Sequence, residues 1–246
     1  MVFELNDPTR AAGLFAGWEE TLIYSCLQGV MGKILVTDER SPMSACAVLG
    51  CFEFYAGVPE AALLRRQAAG FRILVPRDEA WAELVQRCIP NARRFTRYAI
   101  RKDTRFDISR LRAMTRLPAG YELRPIDGPL YDACLKSPET ADFVSAFGSK
   151  ERYLQWGCGM VVLKDEEIVS GASSFSRYRD GIEIEVDTLP AHRRKHLATA
   201  ACAALILRCL DAGLYPSWDA HNMHSVRLAE SLGYKLSHEY PAYEVL

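Results

Sequence analysis

The sequence predicts an α/β protein with mixed α+β sheets, arranged in two halves, with its chemistry in the second. Three observations carry this. Short apolar runs alternate with helical patterns along the chain, punctuated by Gly, Pro and Asp turns. Residues 159–188 hold three strand patterns joined by tight polar turns, which reads as an antiparallel meander. The last of these strands feeds a basic turn, His192-Arg193-Arg194-Lys195-His196, into a long helix of small residues. The first N–H groups of such a helix have no partner inside it, and the dipole favours negative charge there. The junction is therefore a place to hold a phosphate. A basic loop before an ordinary helix is the plainer alternative.

In the first half, residues 8–30 look helical, with Leu14, Trp18, Leu22 and Cys26 at helical spacing. Lys33–Thr37 alternates like a strand, and Ala45–Tyr55 reads as a second apolar strand closed by Gly57 and Pro59. Glu60–Ala69 predicts a short helix stopped by Gly70, and Phe71–Val75 a strand ended by Pro76. Asp78 can cap the helix Glu79–Cys88, and Phe95–Arg101 is a further strand. The Arg-rich stretch 102–120 is taken as the boundary. The expected partition is 1–115, an N-terminal α/β domain, and 116–246. A basic helix packed between the halves is the alternative for that stretch.

The second half opens with strand Tyr121–Pro125 and a helix near 129–136, then a loop carrying Phe143 and Phe147. A helix over 150–156 leads to the strands Gly159–Lys164, Ile168–Tyr178 and Ile182–Thr188. Leu197–Ala212 is the long helix, ended by Gly213. Strand Tyr215–Asp219 and a helix from Asn222 to Leu232 follow, and Tyr234–Leu236 with Tyr240–Val245 reads as a final strand pair.

Bulk composition bounds the function. The 246 residues are 49% hydrophobic and 25% charged, with 30 basic against 31 acidic side chains. A net charge of -1 points away from nucleic acid or a membrane surface as the main partner. No apolar run approaches the ~20 residues of a membrane span, and the N-terminus lacks a signal-peptide layout, so a cytoplasmic protein is expected. The 8 cysteines form no CxxC pair and no zinc-spaced cluster with histidine, so no metal is expected and buried free thiols are.

The order of elements around the basic turn resembles the GCN5-related N-acetyltransferase (GNAT) superfamily, over residues 121–246. That family's phosphate loop runs Gln/Arg-x-x-Gly-x-Gly/Ala, and Arg193-Arg194-Lys195-His196-Leu197-Ala198 occupies it here. Trp218-Asp219-Ala220-His221-Asn222, with Ser225 and Leu228-Ala229-Glu230-Ser231-Leu232-Gly233-Tyr234 behind it, looks like the family's fifth strand and fourth helix. With the N-terminal run Ala47–Gly57, the pattern is similar to a bacterial subfamily that carries an extra N-terminal α/β domain. That subfamily includes an acetyltransferase acting on the antibiotic zwittermicin A.

The resemblance implies an acyl-CoA N-acyltransferase fold in the C-terminal half, the N-terminal half being a candidate degenerate copy of it. It implies acetyl-CoA as co-substrate and a small-molecule primary amine, an antibiotic or metabolite, as acceptor. A non-catalytic acetyl-CoA-binding or partner-binding module, or transfer to a protein amine, remain the alternatives, and a homodimer is left open. The backbone of Asp187, Thr188 and Leu189 would lie along the pantetheine arm, and the turn Arg193, Arg194, Lys195, His196, Leu197, Ala198, Thr199 would hold the pyrophosphate. Asn222 and Ser225 complete the expected cofactor set. His196 departs from the family's glycine, and a side chain is tolerated there if the backbone is helical and the ring points outward.

Acetyl transfer needs a neutral amine, hence a base, and a donor for the developing oxyanion. The strand 182–188 offers candidates without any family, because Glu183, Glu185 and Asp187 alternate with Ile182, Ile184 and Val186. A central strand buried on both faces reads as a continuous apolar run, so three acids on one face imply that this face opens onto water or a polar cleft. Either Glu183 or Glu185 is the candidate base or the anchor of a cationic acceptor, and a bulge would decide which faces the cleft. The family's tyrosine acid is absent, since Ala229 follows Leu228; Tyr234, Ser225 and Tyr215 are the nearest substitutes.

Overall fold

The computed structural model describes residues 1–67 and 70–246. It divides into two compact units: Met1–Arg97 with Glu239–Leu246, and Tyr98–His238. The chain of the first unit runs β1 (Phe3–Glu4), α1 (Thr21–Leu27), β2 (Lys33–Val36), β3 (Ser44–Leu49), β4 (Phe52–Gly57), α2 (Ala61–Leu64), β5 (Arg72–Pro76), α3 (Glu79–Cys88) and the start of β6 (Arg93–Ile100), whose residues from Tyr98 on belong to the second unit. β1 to β4 pair antiparallel in order, and β4 then pairs parallel with β5. Trp81 of α3, with Tyr55, Leu63 and Leu74, fills the core of this unit. Its indole N–H donates to the Gly57 carbonyl at 2.9 Å, so the buried ring keeps no unpaired donor.

Three readings of the first half are corrected. The helical pattern at 8–30 is split into a 3-10 helix, Pro8–Phe15, and α1, because Gly17 takes φ 71 and Glu20 is extended. The apolar run Ala45–Tyr55 is a hairpin, β3 and β4 turning at Gly50 with φ 57. Residues of both strands are buried on both faces, so no polar alternation marks the turn. The helix expected over 60–69 is helical at Ala61–Leu64, and Ala68 and Ala69 lie outside the described residues.

The second unit runs α4 (Ile108–Met114), β7 (Glu122–Pro125), α5 (Gly128–Cys134), α6 (Pro138–Ala141), α7 (Lys150–Trp156), β8 (Gly159–Lys164), β9 (Glu167–Tyr178), β10 (Gly181–Thr188), α8 (Leu197–Asp211), β11 (Tyr215–Ser217), β12 (Asp219–Ala220) and α9 (Met223–Ser231). The sheet order is β11-β10-β9-β8-β7, antiparallel throughout except for the parallel pair β10 and β11. Parallel neighbours need a crossover, and α8 supplies it. Its run of Ala, Leu, Ile and Cys is apolar nearly all round, as befits a buried helix. It packs with Leu111 of α4, Val226 and Ala229 of α9, and Ile182 and Ile184 of β10.

The basic stretch after residue 102 therefore contributes to this core. Asp107 caps α4 by accepting from the Arg110 N–H at 3.0 Å, and Leu111 is 1% exposed. The end of the chain is one strand, β13 (Leu236–Val245), not a pair; its last residues pair antiparallel with β5. Tyr234 precedes it, fully packed among core residues. All 8 cysteines are free thiols, and Cys202 and Cys209 are buried in α8.

Gly181 opens β10 where a Cβ would stand inside van der Waals contact of the Tyr215 carbonyl oxygen and the Tyr178 ring. Gly181→Ala forces the parallel pair apart. We expect it to destabilise the protein by about 1–3 kcal/mol, read as a lowered urea midpoint.

Candidate active site

β10 is the element on which the site is built. Glu183 faces Ser176 of β9 on one side and Ser217 of β11 on the other, so the three side chains form a row across three strands. Glu183 is 5% exposed and both serines are fully buried. Neither serine hydroxyl has a hydrogen-bond partner among the described residues. The register of β9 shifts at this point: Ser176 opposes Glu183 and Ser174 opposes Ile184, leaving Phe175 as the extra residue of a bulge. The Glu183–Ser217 pair is also the last between β10 and β11, so the two parallel strands separate beyond it.

The acid-bearing face of β10 is not uniformly open. Glu183 is buried, Glu185 half-buried and Asp187 exposed, so the face runs from core to solvent toward the C-terminal end. This gradient replaces the expectation of a face open along its whole length. It arises because β11 covers β10 only as far as Glu183. The Glu185 carboxylate accepts from the Val186 N–H at 3.1 Å, and that of Asp187 from the Thr188 N–H at 2.6 Å.

Past Thr188 the chain makes a 3-10 turn, Pro190–His192, and then the basic turn. Leu189 is tied to β9 by its N–H to the Val169 carbonyl at 2.9 Å. The Arg193 guanidinium folds back, donating from Nε to the Thr188 carbonyl at 3.0 Å and lying 3.9 Å from Asp187. Arg194 and His196 both take left-handed backbone, φ 61 and 62. The condition of helical backbone at His196 is thus not met. The residue adopts a backbone conformation that glycine takes most easily, and its side chain is exposed and makes no cap bond. α8 starts at Leu197, and the first N–H received by the His196 carbonyl is that of Ala200, at 3.1 Å. The N–H groups of Leu197, Ala198 and Thr199 are left for a ligand or water.

Asn222 and Ser225 sit at the second helix start at this end of the sheet. The Asn222 Oδ1 caps α9, accepting from the N–H groups of His224 and Ser225 at 3.0 Å each. The Ser225 hydroxyl accepts from the Trp218 indole N–H at 3.0 Å. The Trp-Asp-x-x-Asn-x-x-Ser pattern therefore locks the strand-to-helix junction, and Asn222 keeps only its amide donors for a ligand. Of the substitute proton donors, Tyr234 is spoken for. It is fully buried, its hydroxyl donates to the Pro216 carbonyl at 2.5 Å, and burial pushes its pKa well above that of free tyrosine. The Tyr215 hydroxyl is held between the Thr104 N–H at 3.2 Å and the Arg101 carbonyl at 3.3 Å.

Phe143, Phe147 and Tyr153 belong to the core, at 1–2% exposure, whereas Trp156 is 44% exposed. Sequence reasoning missed the serine row and the phenol of Tyr121, which reaches His192 and Lys195. No sequence spacing links positions 121, 176, 183, 195 and 217; only strand register and the returning turn bring them together.

Comparison with known proteins follows this geometry. A family model described as GNAT acetyltransferase matches residues 12–243. A solved GCN5-related N-acetyltransferase-like protein from Streptococcus suis 89/1591 is 45% identical, with a TM-score of 0.92 over 97% of this chain and 98% of that one. The N-acetyltransferase YdfB of Bacillus subtilis, itself uncharacterized, is 29% identical over 130 residues, 52% of this chain and 49% of its own. The chain thus matches about half the length of that curated relative. A tandem GNAT protein from the clavulanic acid biosynthesis pathway shares the fold at 12% identity, with a TM-score of 0.58 across 100% of this chain and 98% of that one. The chain belongs to the GNAT acetyltransferase family.

Proposed function

We propose that this protein is an N-acetyltransferase that moves the acetyl group of acetyl-CoA to a primary amine of a small molecule. One observation carries the reading. β10 and β11 part beyond Glu183–Ser217, and the bare first turn of α8 follows the parted end of β10. A thin, polar, extended ligand that ends in a pyrophosphate suits such a gap: unpaired strand backbone can meet its amides, and helix N–H groups its phosphates. Lys195 and the exposed Arg194 add charge, while Arg193 stays on Thr188 and Asp187 to brace the turn. Acetyl-CoA supplies an acetyl group already activated as a thioester.

The chain's own part is to orient the acceptor amine and take its proton. Glu183 lies where the strands part, and Glu185 two residues nearer the solvent on the same face of β10. The buried Glu183, flanked by two hydroxyls that can turn to accept or donate, is suited to hold a proton or a bound water at the apex of the gap. Glu185, half-exposed, is suited to meet an ammonium arriving from solvent. We assign base and anchor in that order.

Isothermal titration with acetyl-CoA should give saturable binding, and release of free thiol should require an added primary amine. Glu183→Gln should lower kcat/KM by roughly 100-fold or more while sparing acetyl-CoA affinity, the size expected for loss of a general base. Glu185→Gln should act mainly on the KM of the amine. Unchanged rates in both variants would retire both carboxylates, and absence of acetyl-CoA binding would refute the enzyme reading.

His196→Gly should leave acetyl-CoA affinity within roughly threefold, because the backbone already sits where glycine would place it. The same change should raise stability by about 1 kcal/mol by removing left-handed strain, seen as a higher urea midpoint at unchanged slope. A variant less stable than the parent shows that the imidazole supports the turn.

A further inference from the structure

We infer that Lys164, Lys195, Tyr121 and His192 form a phosphomonoester subsite that reads the 3′-phosphate of coenzyme A. The inference rests on the cofactor reading above and extends it to how the protein tells coenzyme A from its dephosphorylated relatives.

Four side chains from three separated segments converge on one phenol. The Tyr121 hydroxyl lies 3.0 Å from the His192 Nδ1 and accepts from the Lys195 Nζ at 3.1 Å. The Lys195 and Lys164 ammonium groups each stand 5.7 Å from the centroid of the Tyr121 ring. The imidazole of His192 meets that ring edge-on, centroids 5.8 Å apart at 86°. Two ammonium groups and one imidazole thus gather around a single phenol. The acid paired with this set is Asp165, 3.5 Å from Lys164 with its side chain 83% exposed, and an exposed pair of that kind holds a charge weakly. Gathering like charges on one ring costs energy that an anion between them recovers.

The donor inventory fits a phosphomonoester. Lys195 spends two of its three N–H bonds, on Tyr121 and on the Ala191 carbonyl at 3.4 Å. One donor remains on Lys195 and at least one on Lys164, with the imidazole beside them. A phosphomonoester near neutral pH carries close to two charges and three terminal oxygens. A bridging pyrophosphate has no such three-oxygen face. Lys195 is also two residues ahead of the first turn of α8, so the phenol it binds stands beside the turn proposed for the pyrophosphate. Lys164 at the end of β8 plays no part in the turn itself. It therefore reports on the subsite alone.

The test compares coenzyme A with 3′-dephospho-coenzyme A by calorimetry, on the native chain and on Lys164→Ala, Lys164→Arg and Tyr121→Phe. Adenosine 3′,5′-bisphosphate, AMP and inorganic phosphate serve as competitors. The native protein should prefer coenzyme A by roughly tenfold or more, the size of one good charged hydrogen bond. Lys164→Ala should erase several-fold of that preference by weakening coenzyme A alone, and Lys164→Arg should restore it. The bisphosphate should displace coenzyme A better than AMP does, and inorganic phosphate should compete poorly. Equal affinity for the two cofactors, or equal loss of both in Lys164→Ala, overturns the inference while leaving the cofactor reading intact. Binding of neither cofactor overturns both. Strong competition by inorganic phosphate marks a general anion patch and also overturns it.

Discussion

The parallel pairing of β10 with β11 is the constraint on which the second unit depends. Parallel strands cannot be joined by a tight turn, so the chain must cross over, and α8 is that crossover. A helix that packs on a central sheet must be apolar on the packed side, which accounts for its alanines, leucines and buried thiols. Because the pairing lasts only three residues, Gly181 to Glu183, the same constraint leaves β10 unpaired on one edge from Ile184 onward. Unpaired backbone inside a sheet needs a partner. The gap, the bare helix start and the acid at the apex are thus consequences of one short strand pair.

The first unit repeats this layout and closes it. α1, β2, β3, β4, α2, β5 and α3 run in the order of α7, β8, β9, β10, α8, β11 and α9, and β4 and β5 are the parallel pair. β4 also carries a buried acid, Glu53, opposite Leu74 of the parallel neighbour, although here the pairing continues to Tyr55. It is buried, but the Arg66 guanidinium stands 2.5 Å from one oxygen, Arg72 3.5 Å from the other, and the Tyr55 hydroxyl donates to it. A carboxylate so enclosed has its oxygens engaged by the protein itself. α2 spans only Ala61–Leu64 and begins after an acid, Glu60, whose carboxylate accepts from Thr37 at 2.5 Å. A carboxylate at its start, with no basic turn ahead of it, does not favour a pyrophosphate there. The buried ion cluster is poor evidence of stability, since desolvating three charges costs about what their attraction returns.

The sequence made the second unit legible where side-chain chemistry and strand period coincide. Ile182, Ile184 and Val186 alternate with three acids, and the helix after them is uniformly small and apolar. Strand, turn and helix could be named because each pattern has its own period. The first unit hid its hairpin because Ala45–Tyr55 is buried through both strands, so only Gly50 distinguished a turn from one long strand. The serine row was invisible because Ser176, Glu183 and Ser217 are neighbours only through register. The bulge at Phe175 moves that register by one, which no propensity encodes. Asn222 and Ser225 were found by resemblance, yet the atoms that make them recognisable are engaged in capping and in binding an indole.

Left-handed backbone at two side-chain-bearing residues is the least expected feature of the turn, and its supports show why it persists. Arg194 and His196 each cost of order 1–2 kcal/mol relative to glycine. Such strain survives only when neighbours over-determine it. On one side Arg193 is bound to the Thr188 carbonyl, and on the other Lys195 is bound to Tyr121 and the Ala191 carbonyl. Each strained residue therefore adjoins a fixed one, and the helix start is held open without help from a ligand. Glycine at these places would relax the strain but would also enlarge the unfolded ensemble and loosen the free turn. The cations that brace the turn are of the kind that attracts phosphate, so one set of side chains both shapes the proposed anion site and charges it.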